Sequence, residues 1–319
     1  MNIKNGVQFI CIDDDEFEQR IDNFLFTKFK NVPKNMIYRI IRKGNIRVNK
    51  NRIKPKYKLK KNDIIRIPPI RIKKKIILSS LSDKKNFLKK SILYEDESIL
   101  AINKPSGIAV HGGSGLSFGV IEGLRAIFKK HHFLELVHRL DRDTSGILLI
   151  AKKRSVLKIL HEQLRSNKIR KEYIALVHGK WSSKIKSIQI PLIKNISINN
   201  KKIIKVNKKG KFSETHFEIK EYFDNVTLIK AIPLTGRTHQ IRVHTMYAKH
   251  PIVFDVLYGN KKLDEQLNNI VLKRLFLHAS TLDFIHPKSG KKIQLHAPLN
   301  AELINYLKKI RNYKNNYNL

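Results

Sequence analysis

Residues 138–146 read His138-Arg139-Leu140-Asp141-Arg142-Asp143-Thr144-Ser145-Gly146, and this stretch decides the fold. It is wedged between two apolar runs, Phe133 to Val137 and Ile147 to Ala151. Runs this short, broken by turn residues, predict two buried strands joined by a polar loop. Such a loop is fixed at its base by a core and open at its tip, where functional groups concentrate. Asp141 lies between Arg139 and Arg142, and flanking cations suit an ionised carboxylate acting as nucleophile or base. Asp143 to Gly146 has the composition of a turn.

Outward from this loop, the C-terminal two thirds is strand-rich. Predicted strands are Ile99 to Asn103, Ile147 to Ala151, Tyr173 to His178, Thr215 to Tyr222, Val226 to Ile232, Leu275 to Phe284 and Lys292 to Leu295. Predicted helices are Gly119 to Lys129, Arg154 to Asn167 and Asn300 to Ile310. Strands outnumber helices without alternating with them, which points to an α+β domain with a mixed, mainly antiparallel β-sheet flanked by helices. Asn195 to Gly210 reads as an extended basic excursion between strands.

Toward the N-terminus, the strand Val7 to Ile12 and an acidic segment form a lead-in over 1–19. A small unit follows over 20–69. Its first helix starts near Arg20 and carries Ile21, Phe24, Leu25 and Phe29. Its second runs from Pro33 through Ile37, Ile40 and Ile41 to a stop at Gly44. The short strands Ile46 to Val48 and Ile64 to Ile67 complete it. Residues 70–90 are basic and polar, as a linker would be, and the larger domain occupies 91–319.

Lys and Arg number 65 against 26 acids, a formal charge of +39 in 319 residues. Lys, Asn and Ile dominate the exposed segments, so biased nucleotide composition explains part of the excess. The remainder still calls for a polyanionic partner, nucleic acid first. In the small unit Arg39, Arg42, Lys43 and Arg47 cluster without acids at i, i+4, which favours phosphate contact over a merely solvated face. A single cysteine, Cys11, excludes an internal disulfide and a Cys-based zinc site. No run approaches the about 18 apolar residues of a membrane helix, so a cytoplasmic protein without membrane attachment is expected.

Several chemistries fail on their motifs. His138-Arg139 lacks the Asp-Phe-Gly and glycine loop of a kinase. Gly112-Gly113-Ser114-Gly115 lacks dinucleotide spacing, and the histidines form no zinc motif, so neither cofactor nor metal is expected. Four more segments place polar residues at element ends: Lys104 to His111, Lys171-Glu172-Tyr173, Thr235 to His244, and His250 to Asp255.

Together these segments resemble the bacterial RNA pseudouridine synthases of the ribosomal large-subunit type, in which His-Arg-Leu-Asp followed by Thr-Ser-Gly surrounds a nucleophilic aspartate. His111 to Gly119 and the Phe254-Asp255 pair point to one branch of that family. Residues 20–68 resemble an S4 domain, a small RNA-binding module.

The resemblance implies isomerisation of uridines in 23S ribosomal RNA, on the RNA or on a large-subunit assembly intermediate, by a monomeric enzyme without cofactor. It implies Asp141 as the reactive carboxylate, Arg237 as its ion-pair partner, and Tyr173 stacked on the uracil and taking the C5 proton. Arg139 fills the gap left by the flipped base, and Lys104 joins the RNA contacts. A transfer RNA pseudouridine synthase and a catalytically silent RNA-binding assembly factor are the rival readings. The intact set of Asp141, Tyr173 and Arg237 argues against the silent one.

Overall fold

The computed structural model describes residues 6–29, 32, 34–69, 87–112, 119–128, 133–196, 202–267, 272 and 274–316. The chain divides into two compact units, 1–79 and 80–319. Most of the expected linker, 70–86, lies outside the described residues, but Leu88 is fully buried in the core of the larger unit, so that unit begins before residue 91.

In the small unit β1 (Gln8–Cys11), α1 (Ile21–Lys28), α2 (Lys34–Arg42), β2 (Arg47–Val48), β3 (Asn51–Arg52) and β4 (Ile64–Ile67) follow in order. The sheet is antiparallel, in the order β1-β4-β2-β3. The first strand, expected as part of a separate lead-in, is thus an edge of this sheet. The apolar faces of both helices, with Ile21, Phe24, Leu25, Ile37 and Ile41, close over Ile46, Val48, Ile65 and Ile67. Helix α2 stops where Gly44 takes φ +71°, a left-handed position that suits glycine. The Gly44 and Asn45 amides then donate to the Ile41 and Ile40 carbonyls, closing a Schellman cap.

The larger unit is built on one mixed sheet. Its main path runs β10 (Ser187–Gln189), β13 (Glu214–Tyr222), β14 (Val226–Pro233), β9 (Arg170–His178), β15 (Leu277–Ile285), β8 (Ser145–Ala151), β6 (Ile99–Lys104) and β5 (Ile92–Glu95). β16 (Lys292–His296) pairs with β15, and β7 (Glu135–Leu136) with β8. Among the described strand pairs only β15 and β8 run parallel. The mainly antiparallel sheet expected from the sequence is present.

β8 is an interior strand, and all seven of its residues are buried. Ile147, Leu149 and Ala151 face a core with Val156 and Leu160 of α4 (Arg154–Arg165), whereas Leu148 and Ile150 face one with α3 (Val120–Ile127). A strand covered on both faces reads as a continuous apolar run rather than an alternating one.

The run Phe133 to Val137 is a strand only over its two central residues. β15 occupies the edge of β8 at Ser145 and Gly146, so β7 pairs only at Ile150 and Ala151. The basic excursion is itself ordered into a ladder, β11 (Leu192–Ile196) with β12 (Lys202–Val206), which buries Leu192 and Ile204 in the main core. Its few apolar residues, Ile203, Ile204 and Val206 in the second strand, are interspersed with Lys and Asn in the sequence.

The Thr144-Ser145-Gly146 segment has structural reasons for each residue. Gly146 has φ +112°, and a Cβ there would lie 2.2 Å from the Ala279 carbonyl oxygen. Ser145 Oγ accepts from Arg274 at 2.7 Å and donates to His278 Nδ1 at 2.8 Å, leaving His278 Nε2–H to bond the Ala297 carbonyl at 3.0 Å. The Thr144 amide closes the turn on the Asp141 carbonyl.

Burial, reinforced by Arg274, pushes His278 down to about 4. Burial alone does the same to His244, also to about 4. Both folded values lie below the ordinary value near ~6.5, so as pH falls the unfolded chain takes up protons that the folded chain refuses. Stability should therefore decline from pH 6.5 toward pH 4, by about 3 kcal/mol per histidine at the acid limit. Urea unfolding across that range checks this, with His278→Asn expected to flatten the decline; an equal slope in both proteins would contradict it.

Candidate active site

The loop 138–146 opens into a cavity of about 560 Å³ lined also by Lys171 and Tyr173 of β9, the turn 233–239, and α5 (Gln240–Tyr247). That volume suits a nucleotide-sized ligand. Asp141 lies at the start of the turn, its side chain half-buried against this space.

The loop is held rigidly from behind. The His138 ring accepts the Leu149 amide through Nε2 at 3.1 Å, and burial pushes this histidine down to about 4, so it remains a neutral acceptor. Lys104, expected to contact RNA, is instead fully buried. Its ammonium donates to the carbonyls of Pro105 at 2.7 Å, Ile108 at 3.0 Å and Arg142 at 3.0 Å. All three donors are consumed, so Lys104 clamps the loop and does not reach RNA. Burial and then Arg274 push it down to about 7, while Asp143 and Asp141 act in the opposite sense. The Ser106 hydroxyl and Gly107 amide add bonds to the Asp143 and Arg142 carbonyls.

The ion-pair partner of Asp141 also differs from expectation. Arg237 lines the cavity, but its Nε donates to the Phe212 carbonyl at 3.0 Å. Arg242, in the first turn of α5, reaches Asp141 Oδ2 at 3.3 Å through Nη1. Its Nε and Nη2 form a fork with Asp255, both at 2.7 Å, and the Asp255 side chain is wholly buried. Burial works against the Arg242 charge, but the hydrogen bonds and charge of Asp255, then those of Asp141, more than offset it and raise the guanidinium above its ordinary value. Asp255 is completed by the Leu257 and Tyr258 amides.

The reason for the exchange is helix phase. His239 adopts a left-handed φ of +52° before α5, and the Gln240 side chain accepts from the Arg237 amide and the Thr235 hydroxyl. This fixes Arg237 in the turn and swings Arg242 inward. A lone arginine between Ile241 and Val243, with an acid 13 residues on, was the available signal.

His239 Nε2 lies 3.7 Å from Asp141 Oδ1, and its Nδ1 meets the Tyr258 hydroxyl at 2.7 Å. Burial lowers the His239 ring despite Asp141. Tyr173 shares the cavity, and burial, then the charge of Asp141, raise its phenol well above the ordinary range, so the neutral hydroxyl is the resting form. Arg139 is exposed on the cavity wall. Arg142, expected to flank Asp141 electrostatically, pairs with Asp143 at 3.0 Å instead.

Arg39, Arg42, Lys43 and Arg47 are all exposed in the small unit, with Arg42 5.9 Å from the Tyr38 ring centroid. Residues 113–118 of the branch-specific segment lie outside the described residues.

The RNA pseudouridylate synthase family model matches residues 98–247, and the S4 domain model matches 19–65. Over 314 residues the chain is 55% identical to the ribosomal large subunit pseudouridine synthase C of Pasteurella multocida (strain Pm70), covering 98% of this chain and 96% of the relative. It is 56% identical over 311 residues to the protein of the same name from Escherichia coli (strain K12), covering 96% and 98%. The chain belongs to the RNA pseudouridylate synthase family and carries an N-terminal S4 domain. Human RNA Pseudouridylate Synthase Domain Containing 4 shares the fold, with a TM-score of 0.58 and 21% identity over 72% of this chain and 97% of that one.

Arg242→Lys keeps the charge but loses the planar fork, so the rate within the bound RNA complex should fall about 100-fold with affinity retained. Arg237→Gln should weaken RNA binding more than it slows the bound complex. Single-turnover kinetics with separate binding isotherms check this, and the reverse pattern would overturn the assignment of the aspartate's partner.

Proposed function

We propose that the protein converts uridines of 23S ribosomal RNA to pseudouridine. The observation that carries this is the Asp141 carboxylate, ion-paired with Arg242 and facing a nucleotide-sized cavity shared with Tyr173. Relatives that match this chain over nearly its whole length bear the name of a ribosomal large-subunit enzyme, which supports the substrate.

The reaction breaks the N1–C1′ bond, turns the uracil, joins C5 to C1′ and moves the C5 proton out. It is a redox-neutral isomerisation, so the reading requires neither cofactor nor metal. A stacked uridine is out of reach and must be flipped into the cavity, with the exposed Arg139 filling the gap. Asp141 acts at C1′, at C6, or as a base at C2′. The Tyr173 ring packs on the base. A neutral phenol accepts a proton poorly, so a role for Tyr173 at C5 requires it to lose its own proton first. Arg237 assists from the rim.

The S4 domain supplies phosphate contacts through Arg39, Arg42, Lys43 and Arg47. The enzyme acts as a cytoplasmic monomer on the RNA or on a large-subunit assembly intermediate. Among the described residues no helix is long and apolar enough to cross a membrane.

Asp141→Asn should abolish release of tritium from C5-labelled 23S RNA while RNA binding persists; substantial turnover in the purified variant would refute the assignment. Mapping pseudouridines in ribosomal and transfer RNA after deletion identifies the substrate, and losses confined to transfer RNA would displace the ribosomal reading. Replacing Arg39, Arg42 and Lys43 by alanine should reduce the slope of log affinity against log salt by about 2–3, at about 0.7–0.9 per phosphate contact. An unchanged slope would remove the S4 face from the RNA path.

A further inference from the structure

Lys171 opens β9 two residues before Tyr173, and strand alternation sets the two on one face of the sheet. Both line the cavity with Asp141. Asp141 is the only carboxylate among the described lining residues, and it is engaged by Arg242. The Lys171 ammonium makes no hydrogen bond or ion pair among the described residues, and a Cβ added to Gly236 would lie 3.9 Å from its Nζ. Burial lowers this amine, with no carboxylate acting to hold the proton. The other cations of the cavity are occupied or open to water: Arg165 pairs with Glu162, Arg237 is bonded to a carbonyl, and Arg139 is exposed. A desolvated, unpaired ammonium inside a site is costly unless a negative charge arrives there.

We propose that Lys171 is a catalytic residue whose ammonium stabilises the negative charge that gathers on the uracil carbonyl oxygens as the N1–C1′ bond breaks. The proposal rests on the pseudouridine reading above. Heterolysis leaves the bonding pair on N1, from which it spreads to O2 and O4. Asp141 meets the deficit on the ribose, either by bonding C1′ or by taking the C2′ proton. If Asp141 adds first at C6, the displaced π pair moves to O4, so the same oxygens become charged. In the second half the pair on the ring forms C5–C1′, the C5 proton leaves and N1 is protonated, and Asp141 is released unchanged. Lys171 therefore acts alike on all three routes, as a fixed donor aimed at developing charge.

A phosphate contact is the other role open to this lysine, and it differs in what it predicts. A cation that meets developing charge raises the rate within the complex, whereas one that meets phosphate raises affinity and contributes to the salt slope. The test uses unmodified, C5-tritiated 23S RNA with enzyme in excess, together with filter binding at several salt concentrations, on Lys171→Met, Lys171→Gln and Lys171→Arg, each checked for wild-type melting. Lys171→Met or Lys171→Gln should lower the single-turnover rate constant about 100-fold or more, with affinity and salt slope unchanged, and Lys171→Arg should recover part of the loss. Wild-type rate constants in the folded variants, or weakened binding with a smaller salt slope and an intact rate, would overturn the proposal. Wild-type enzyme that releases no tritium would instead overturn the pseudouridine reading, and this proposal with it.

Discussion

Arg242 is the constraint on which the site depends. Its guanidinium is shared between two carboxylates of different kinds: Asp255, wholly buried and bonded through both oxygens, and Asp141, half-buried and touched by one nitrogen at 3.3 Å. The fork with Asp255 fixes the plane of the guanidinium. The remaining Nη1 then has one direction in which to point, and Asp141 lies along it. Removing either member would leave a buried charge without its counterpart, which costs about 3–5 kcal/mol in comparable pairs. The geometry is thus enforced by the same burial that makes it expensive to lose.

The opposite wall is made rigid by hydrogen bonds to backbone carbonyls. The backbone of 141–144 is gripped by Lys104, Ser106 and Gly107 on one side and leads directly into the buried strand β8 on the other. Asp141 therefore sits between a clamped turn and a locked arginine. The substrate has to come to the carboxylate, which fits a reaction in which the base is extruded from RNA.

Much of this was legible in the sequence. Of the apolar runs flanking 138–146, Ile147 to Ala151 is the buried strand it predicted, whereas Phe133 to Val137 forms a strand only over Glu135 and Leu136, and the α+β character followed from the order of elements. Asp141 stood out by its place at the end of an apolar run. What could not be read was side-chain direction. Lys104 appears in the sequence as a cation after a strand, and only the packed loop shows three carbonyls converging on its ammonium. Arg237 and Arg242 are equally plausible by spacing, and the left-handed turn at His239, unusual for a residue with a Cβ, settles the helix phase that separates them. The Phe254-Asp255 pair stood out in the sequence, but the partner of Asp255 did not, since its role arises from a contact with Arg242, 13 residues away.

The most direct test of the account is a double-mutant cycle between Asp255→Asn and Arg242→Lys, read as the single-turnover rate of pseudouridine formation at saturating enzyme. If Asp255 acts on the reaction only by holding Arg242 against Asp141, each variant slows the reaction and the double variant is no slower than the worse of the two. Losses that multiply would show that Asp255 and Arg242 act independently, and would contradict the account.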